Sequence, residues 1–343
     1  MWHFSIDTEM STIHSTEYRE WWQQLWDHAT TKQPFAHPDM VLAWIDAYSH
    51  LQHISPCFIR ATEDNGSEAL LPLVRWRRNI KNAHLRMLIP AGYSDYDYHT
   101  PLIAGNSEGL IDALSDQLHS IKVDRIELPG LDSPLPHCTT TNESCYEIKL
   151  EQYNSFDTYL QTHYPAAIAI RHRKENKLRH LGIEGFHLFA TNEVDVAVAQ
   201  LPSMLQHYHK RHPHAYIAPG FHEHLLRQVL PTGLLHFSML TVNNRPVSWN
   251  LYLHMENNLL QYLHATDATF SQYSVGTLHL IRNIEWAFNN GMQRFDFMRG
   301  NETYKQSWAT GQHTLYNNVY VCRQTLSAKL RNSLYNLRKH IAY

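Results

Sequence analysis

Residues 258–308, NLLQYLHATDATFSQYSVGTLHLIRNIEWAFNNGMQRFDFMRGNETYKQSW, constrain this chain more than any other stretch. They read as a strand, a short loop, a Ser274-Val275-Gly276-Thr277 entry into an amphipathic helix, a second strand carrying Asp296, and a polar loop holding Lys305. The helix follows from Leu278, Ile281, Ile284 and Phe288, which recur at steps of three and four while Arg282, Asn283 and Glu285 lie off that face. Gly291 stops it. A strand opening onto a helix N-terminus offers unpaired backbone N–H groups and the positive end of the helix dipole, a setting that favours phosphate or pyrophosphate. Ser274 and Thr277 are N-cap candidates, and Gly276 lets a ligand approach the backbone without interference from a Cβ. An ordinary capped helix reads the same way.

The rest of the chain gives a coarse plan. In the first half, 17–29, 39–48 and 108–120 read as helices, and 57–61, 69–75 and 125–128 as strands, with an Asn65-Gly66 turn. Residues 129–144, rich in Pro, Ser and Thr, show no period and mark a junction between domains 1–150 and 151–343. Helices over 155–163, 166–181, 194–212 and 221–230 then precede strands over 234–242, 247–255 and 259–266, joined by Asn243-Asn244 and by a turn at 256–258. In the middle strand Val247, Trp249, Leu251 and Leu253 alternate with Ser248, Asn250, Tyr252 and His254, giving one core face and one polar face fit to line a site. Periodicity alone implies an α+β, mixed α/β fold.

Composition excludes several classes. At 343 residues with 43% hydrophobic content the chain fills two cores. No apolar run approaches membrane-spanning length and the start lacks a signal peptide, so a cytoplasmic location is expected. Cys57, Cys138, Cys145 and Cys322 have no paired spacing for zinc or redox work. A net charge of -3 argues against a wholly nucleic-acid-binding surface, although Arg171, His172, Arg173, Lys174, Lys177, Arg179 and His180 form a local basic patch. Of the 26 histidines, His207, His209, His212 and His214 crowd together, yet none pair at i and i+4 and no metal site is expected.

The block from Asp267 through Ser274, Val275 and Gly276 to Phe295, Asp296, Phe297, Arg299, Gly300, Asn301, Tyr304, Lys305 and Trp308 resembles the FemAB-like, CelD-type branch of the GNAT acyltransferase superfamily. That family reads S-P-G at the helix entry and F-D-F-x-R-G-D-x-x-Y-K-x-x-W after it. The basic stretch 167–182 and the N-terminal segments FAHPDMVLAWIDAY and AGYSDYDYHTPLI resemble it too. Val275, Asn301 and His212 depart from its usual residues, and the acyl-CoA signature of simple GNAT enzymes is not literally present after Gln272. The resemblance implies tandem GNAT-like domains, each a mostly antiparallel mixed sheet flanked by helices, with the helix between the fourth and fifth strands.

It also implies acyl transfer, which needs a donor phosphate pocket, oxyanion donors and a base. Ser274, Val275, Gly276 and Thr277 are the expected donor loop for acyl-CoA, and backbone near His264 supplies oxyanion donors. Asp296 is the first candidate base, with Glu302 and His264 as alternatives. Tyr304 and Lys305 are placed by the resemblance at the acceptor or oxyanion, and Asp95, Tyr96, Asp97, Arg299 and Glu302 are substrate-binding candidates. The acceptor class is a small-molecule or saccharide-linked amine or hydroxyl. Two alternatives stay open: an aminoacyl-tRNA donor, as FemAB-type enzymes use, and a non-catalytic scaffold.

Overall fold

The computed structural model describes residues 1–343 except 81–82, 94, 166–167, 169–171, 173–174, 177–181, 183, 214, 216–217, 323–324 and 340–343. Arg171, Arg173, Lys174, Lys177, Arg179 and His180 of the basic patch, Ser94 and His214 therefore lie outside the described residues, as does most of the helix expected over 166–181. The chain forms two compact units: Met1–Glu143 with Ala218–Phe221 and Leu315–Tyr343, and Ser144–Ile217 with His222–Thr314. The division falls ahead of the expected 150/151 boundary, and the C-terminal segment belongs to the first unit. No described helix is long and apolar enough to cross a membrane.

The strands in chain order are β1 (Trp2–Asp7), β2 (Ile54–Pro56), β3 (Phe58–Glu63), β4 (Glu68–Leu71), β5 (Leu73–Ile80), β6 (Ala83–Pro90), β7 (Leu102–Ala104), β8 (Arg125–Leu131) and β9 (Thr139–Lys149). They continue with β10 (Glu184–Leu188), β11 (Leu235–Val242), β12 (Arg245–Met255), β13 (Asn258–Thr266), β14 (Arg294–Arg299) and β15 (Gly311–Val321). The helices used below are α1 (Thr16–His28), α2 (Pro38–Gln52), α3 (Leu110–Ser120), α4 (Phe156–His163), α5 (Val194–Val198), α6 (Leu201–Arg211), α7 (Phe221–Val229), α8 (Val275–Asn289), α9 (Thr303–Trp308) and α10 (Leu326–Lys339).

In the first unit a small antiparallel sheet runs β1-β3-β4-β7, and a larger one runs β15-β8-β6-β5-β2. The strand expected over 69–75 is two strands in two sheets. Pro72 divides them, since a residue without an N–H ends a ladder. β6 and β8 are parallel, with Leu88 beside Ile126, and α3 lies in the connection between them. Its Leu114 and Leu118 pack with Leu73, Leu88 and Ile126 in one core.

In the second unit β10, β11, β12 and β13 are successive antiparallel neighbours. β14 then joins β13 in parallel, Leu259 beside Phe295, and β9 pairs antiparallel with β14. A parallel neighbour demands a crossover. α8 supplies it, between the fourth and fifth strands of the order starting at β10. Asn243 and Asn244 adopt φ +50° and +61°, the left-handed pair that closes a two-residue hairpin.

Three expectations are corrected here. The segment read as structureless, 129–144, is largely strand, because β8 runs to Leu131 and the Thr-rich run at 139–141 opens β9. The single helix over 194–212 is α5 and α6, the second begun by Pro202 at its first turn. Both faces of β12 are core, not one: Ser248, Asn250 and Tyr252 are as buried as their neighbours, although Asn250 also lines the pocket described below.

Candidate active site

The helix α8 is enclosed on more of its circumference than its apolar stripe requires, since His279 and Asn283 are fully buried alongside Leu278, Ile281 and Ile284. Those two polar residues are satisfied by one another and by the sheet. Ser238 Oγ donates to Asn283 Oδ1 at 3.0 Å and meets His279 Nε2 at 2.9 Å, while Asn283 Nδ2 donates to the His279 carbonyl at 2.8 Å. Burial holds the His279 imidazole near neutrality by pushing its pKa down to about 3. With the single proton of Ser238 committed to Asn283, Nε2 must carry the ring proton, and Nδ1 accepts from Ser248 Oγ at 2.8 Å.

This seated helix forms one side of a pocket of about 330 Å³ in the second unit, at the lower end of small-ligand sites. Ser274, Val275, Gly276 and Thr277 line it, together with Gln261, His264 and Thr266 from β13. Asn250 of β12, Arg211 at the end of α6, and Tyr304 and Trp308 of α9 complete the wall. Ser274 takes the left-handed φ of +55° and makes no side-chain cap. Its carbonyl instead accepts from Thr277 N at 3.0 Å and Leu278 N at 3.1 Å. The amides of 275 and 276 precede those bonds and point out of the positive end of the helix. At Gly276 an added Cβ would sit 3.1 Å from Thr266 Cγ2, so glycine keeps this approach open.

Three charge states follow. His264 is pushed down to about 4 by burial and then by the nearby Arg211, His212 and Lys305, so it is a neutral imidazole at pH 7. Burial, with Glu302 adding to it, raises the Tyr304 phenol well above its ordinary value and keeps it a proton donor. Burial alone would raise the Asp267 carboxyl, but hydrogen bonds from Thr269 and from Arg245, the latter at 2.7 Å, outweigh it and hold it low.

The other sequence candidates lie elsewhere. Asp296 is buried and not in the pocket wall: its Oδ1 accepts from Met298 N at 2.7 Å, supporting a bulge at which Met298 has φ +60°. Lys305 is in α9 rather than a loop, and it is 5% exposed. Its Nζ donates to the Arg299 carbonyl and pairs with Glu302 at 3.1 Å. Gly300, at φ +117°, allows this turn, for a Cβ there would lie 2.9 Å from Lys305 Nζ. Asp95 accepts from Trp44 Nε1 at 2.8 Å, Tyr96 donates to the Met40 carbonyl at 2.7 Å, and the Asp97 carbonyl packs on Gly130, all within the first unit.

Arg211 and Gln261 escaped the sequence reading. Asn250 carried a signal, its place on the polar side of β12, whereas Arg211 sat in a histidine-rich run that suggested only metal. Lys305→Ala is expected to lower stability by about 1–3 kcal/mol, because the Arg299 carbonyl is left unsatisfied. Urea melts measure this, and an unchanged midpoint would place the amine in solvent.

Comparison with known proteins bears on this geometry. No curated protein sequence matches the chain. Residues 170–306 match the family profile described as an acetyltransferase (GNAT) domain. Among solved structures, FemX is similar at 8% identity and a TM-score of 0.60 over 93% of this chain and 99% of that one. The C-terminal domain of a putative lysylphosphatidylglycerol synthetase from Agrobacterium fabrum is similar at 10% identity and 0.57, over 92% and 95%. The corresponding values for L-PGS from Bacillus licheniformis are 11% and 0.57, over 97% and 98%. At these identities the structures share a fold. The pocket lies in the unit that the profile match falls in, and residues 170–306 carry a GNAT acetyltransferase domain.

Proposed function

We propose that the second unit moves an acyl group from an acyl-CoA thioester to an amine or hydroxyl of a small-molecule or saccharide-linked acceptor. The observation that carries this reading is the meeting of the Ser274–Thr277 turn, Arg211, His264 and Tyr304 in one pocket. The amides at the start of α8 and the exposed Arg211 guanidinium favour the donor pyrophosphate. The acceptor atom attacks the thioester carbonyl carbon and gives up a proton, the oxyanion collapses, and the C–S bond breaks as sulfur leaves and is protonated. Tyr304, held as a phenol, donates to the oxyanion or to the departing sulfur.

His264 takes the acceptor proton directly or through water. A base near 4 is weak at pH 7, and a donor phosphate against Arg211 would cancel one of the charges that depress it, bringing it nearer to the working range. Mass spectrometry after incubation with a panel of acyl-CoA esters, paired with thermal shifts, tests the reading. A bound donor at about 100 times its Kd adds roughly 2.7 kcal/mol. Neither adducts, turnover nor a shift with any ester would sink it.

Gly276→Asp is expected to weaken CoA binding by about tenfold or more with little loss of fold, since it sets a carboxylate where the helix dipole attracts phosphate. Calorimetry on a folded variant with unchanged affinity would remove the turn from the donor site.

A second reading, an aminoacyl-tRNA donor, is favoured by the shared fold with FemX and with lysylphosphatidylglycerol synthetases. Salt separates the two. Binding of tRNA would fall with a log-log slope of roughly -0.7 per single-stranded phosphate neutralised, whereas CoA would give a far shallower slope.

A further inference from the structure

The helix α10 presents its leucines to solvent. With about 3.6 residues to a turn, Leu326, Leu330 and Leu337 fall within about 40° of one another, and Leu334 follows about 40° further round. Such a stripe ordinarily faces a core. Here it faces outward: Leu326 is 84% exposed, Leu330 61% and Leu337 62%. The other exposed large hydrophobic side chains among the described residues are Met1 and Val196, on other segments of the chain. An exposed apolar residue standing singly is ordinary, but three on one side of one helix form a patch, and patches mark contact surfaces.

The opposite side of α10 explains the orientation, because polar contacts hold it to the first unit. Ala328, Asn332 and Tyr335 are buried there. Asn332 Nδ2 donates to the Asp124 carbonyl at 2.8 Å, and Arg331 donates to the Asp124 carboxylate from Nη2 at 2.7 Å and Nε at 3.0 Å. Arg78 of β5 donates to the Tyr335 hydroxyl at 2.9 Å, and the Arg125 guanidinium of β8 lies 5.2 Å from the centre of the Tyr335 ring. A half-turn of α10 that buried the leucines would strip Arg331 from the buried Asp124 carboxylate and Arg78 from its phenol partner. The outward face is therefore fixed by polar pairing.

Charge identifies what this face meets. Residues 322–343 carry Arg323, Lys329, Arg331, Arg338 and Lys339 and no Asp or Glu. The acids beneath the helix are occupied inside the fold: Asp124 receives Arg86 and Arg331, and Glu127 receives Arg125 and Tyr93. Arg86 and Arg331 stay partly exposed, and Lys329, about 60° round the helix from Leu326, is exposed. An apolar stripe with positive charge beside it suits the boundary between headgroups and acyl chains of an anionic bilayer. A second copy suits it less, since a two-fold contact would set the same basic residues against themselves.

We propose that α10 docks the protein on the surface of an anionic phospholipid bilayer, with the leucine stripe entering the headgroup boundary and Lys329 meeting the lipid charges. At 14 residues the helix is too short to span a bilayer, so it lies along the surface. The docking face belongs to the first unit, and its test does not depend on the donor assigned to the second.

Flotation of the full chain with vesicles of phosphatidylserine in phosphatidylcholine, beside vesicles of phosphatidylcholine alone, tests this. Association is expected with the mixed vesicles, about tenfold or more stronger than with phosphatidylcholine alone. Leu330→Gln with Leu337→Gln should weaken it about tenfold or more without lowering the melting temperature, because both side chains are exposed and glutamine keeps the helix propensity. Leu330→Met with Leu337→Met should retain it, and Lys329→Glu should reduce the preference for phosphatidylserine. Three results would overturn the assignment. The first is no association with phosphatidylserine vesicles. The second is an association that the glutamine pair leaves unmoved in a folded protein. The third is a chain that does not float with vesicles but is dimeric by light scattering and monomeric with the glutamine pair, which would give the face to a second copy.

Discussion

Lowering the pH from 7 towards 4.5 is expected to unfold this protein, with the second unit failing first. His222, His236 and His279 are buried in that unit and pushed down to about 3, and His37 in the first unit is pushed down to about 4. Burial is the leading cause in each. Because the folded form resists a proton that the unfolded chain takes up near its ordinary value of 6.5, stability is complete above that value. It is lost as pH falls from about 6.5 towards 4 and then 3. Each such histidine costs about 1.4 kcal/mol per pH unit inside the window. Three of them together approach the 5–15 kcal/mol that a domain typically has. Urea midpoints followed by circular dichroism at half-unit steps measure the slope, and stability that stays flat to pH 5 would show that these rings reach solvent.

Trp308→Ala is expected to cost the second unit about 3–5 kcal/mol and to abolish acyl transfer at physiological temperature. The indole is 3% exposed and stands edge-on to Tyr164 at 4.7 Å, and the Tyr159 hydroxyl donates to the Trp308 carbonyl. The same residue lines the pocket, so its loss leaves a void where the donor would be held. Trp308→Phe keeps most of the packing and should recover stability before it recovers turnover. A melting temperature unchanged in Trp308→Ala would contradict the packing described here.

The second half of the fold was legible because its signals are local. The three-and-four spacing of Leu278, Ile281 and Ile284 and the Asn243-Asn244 turn each declare an element without reference to anything distant. The polar strands β9 and β15 declare nothing. Their sequences, TTTNESCYEIK and GQHTLYNNVYV, are set by the neighbours they pair with rather than by an alternation of their own. The turn at 274–277 that enters the pocket was visible as glycine at a helix entry. Arg211 was not, since it reaches the pocket from a helix more than sixty residues earlier in the chain, at a distance no spacing rule spans. That Lys305 is a buried helix residue and not part of a polar loop was hidden for a related reason, since only the fold supplies the Arg299 carbonyl that justifies burying it.

The hydrogen bonds that join His279 and Asn283 to Ser238 and Ser248 bear on more than the stability of α8. A helix clad all round in aliphatic side chains can rotate about its axis at little cost, because one greasy contact substitutes for another. Here a rotation of one residue would strand four polar groups in a dry interior, so the angular setting of α8 is locked like a key by its wards. The direction in which the amides at 275 and 276 point is thereby fixed from a full turn further down the same rod, before any ligand arrives.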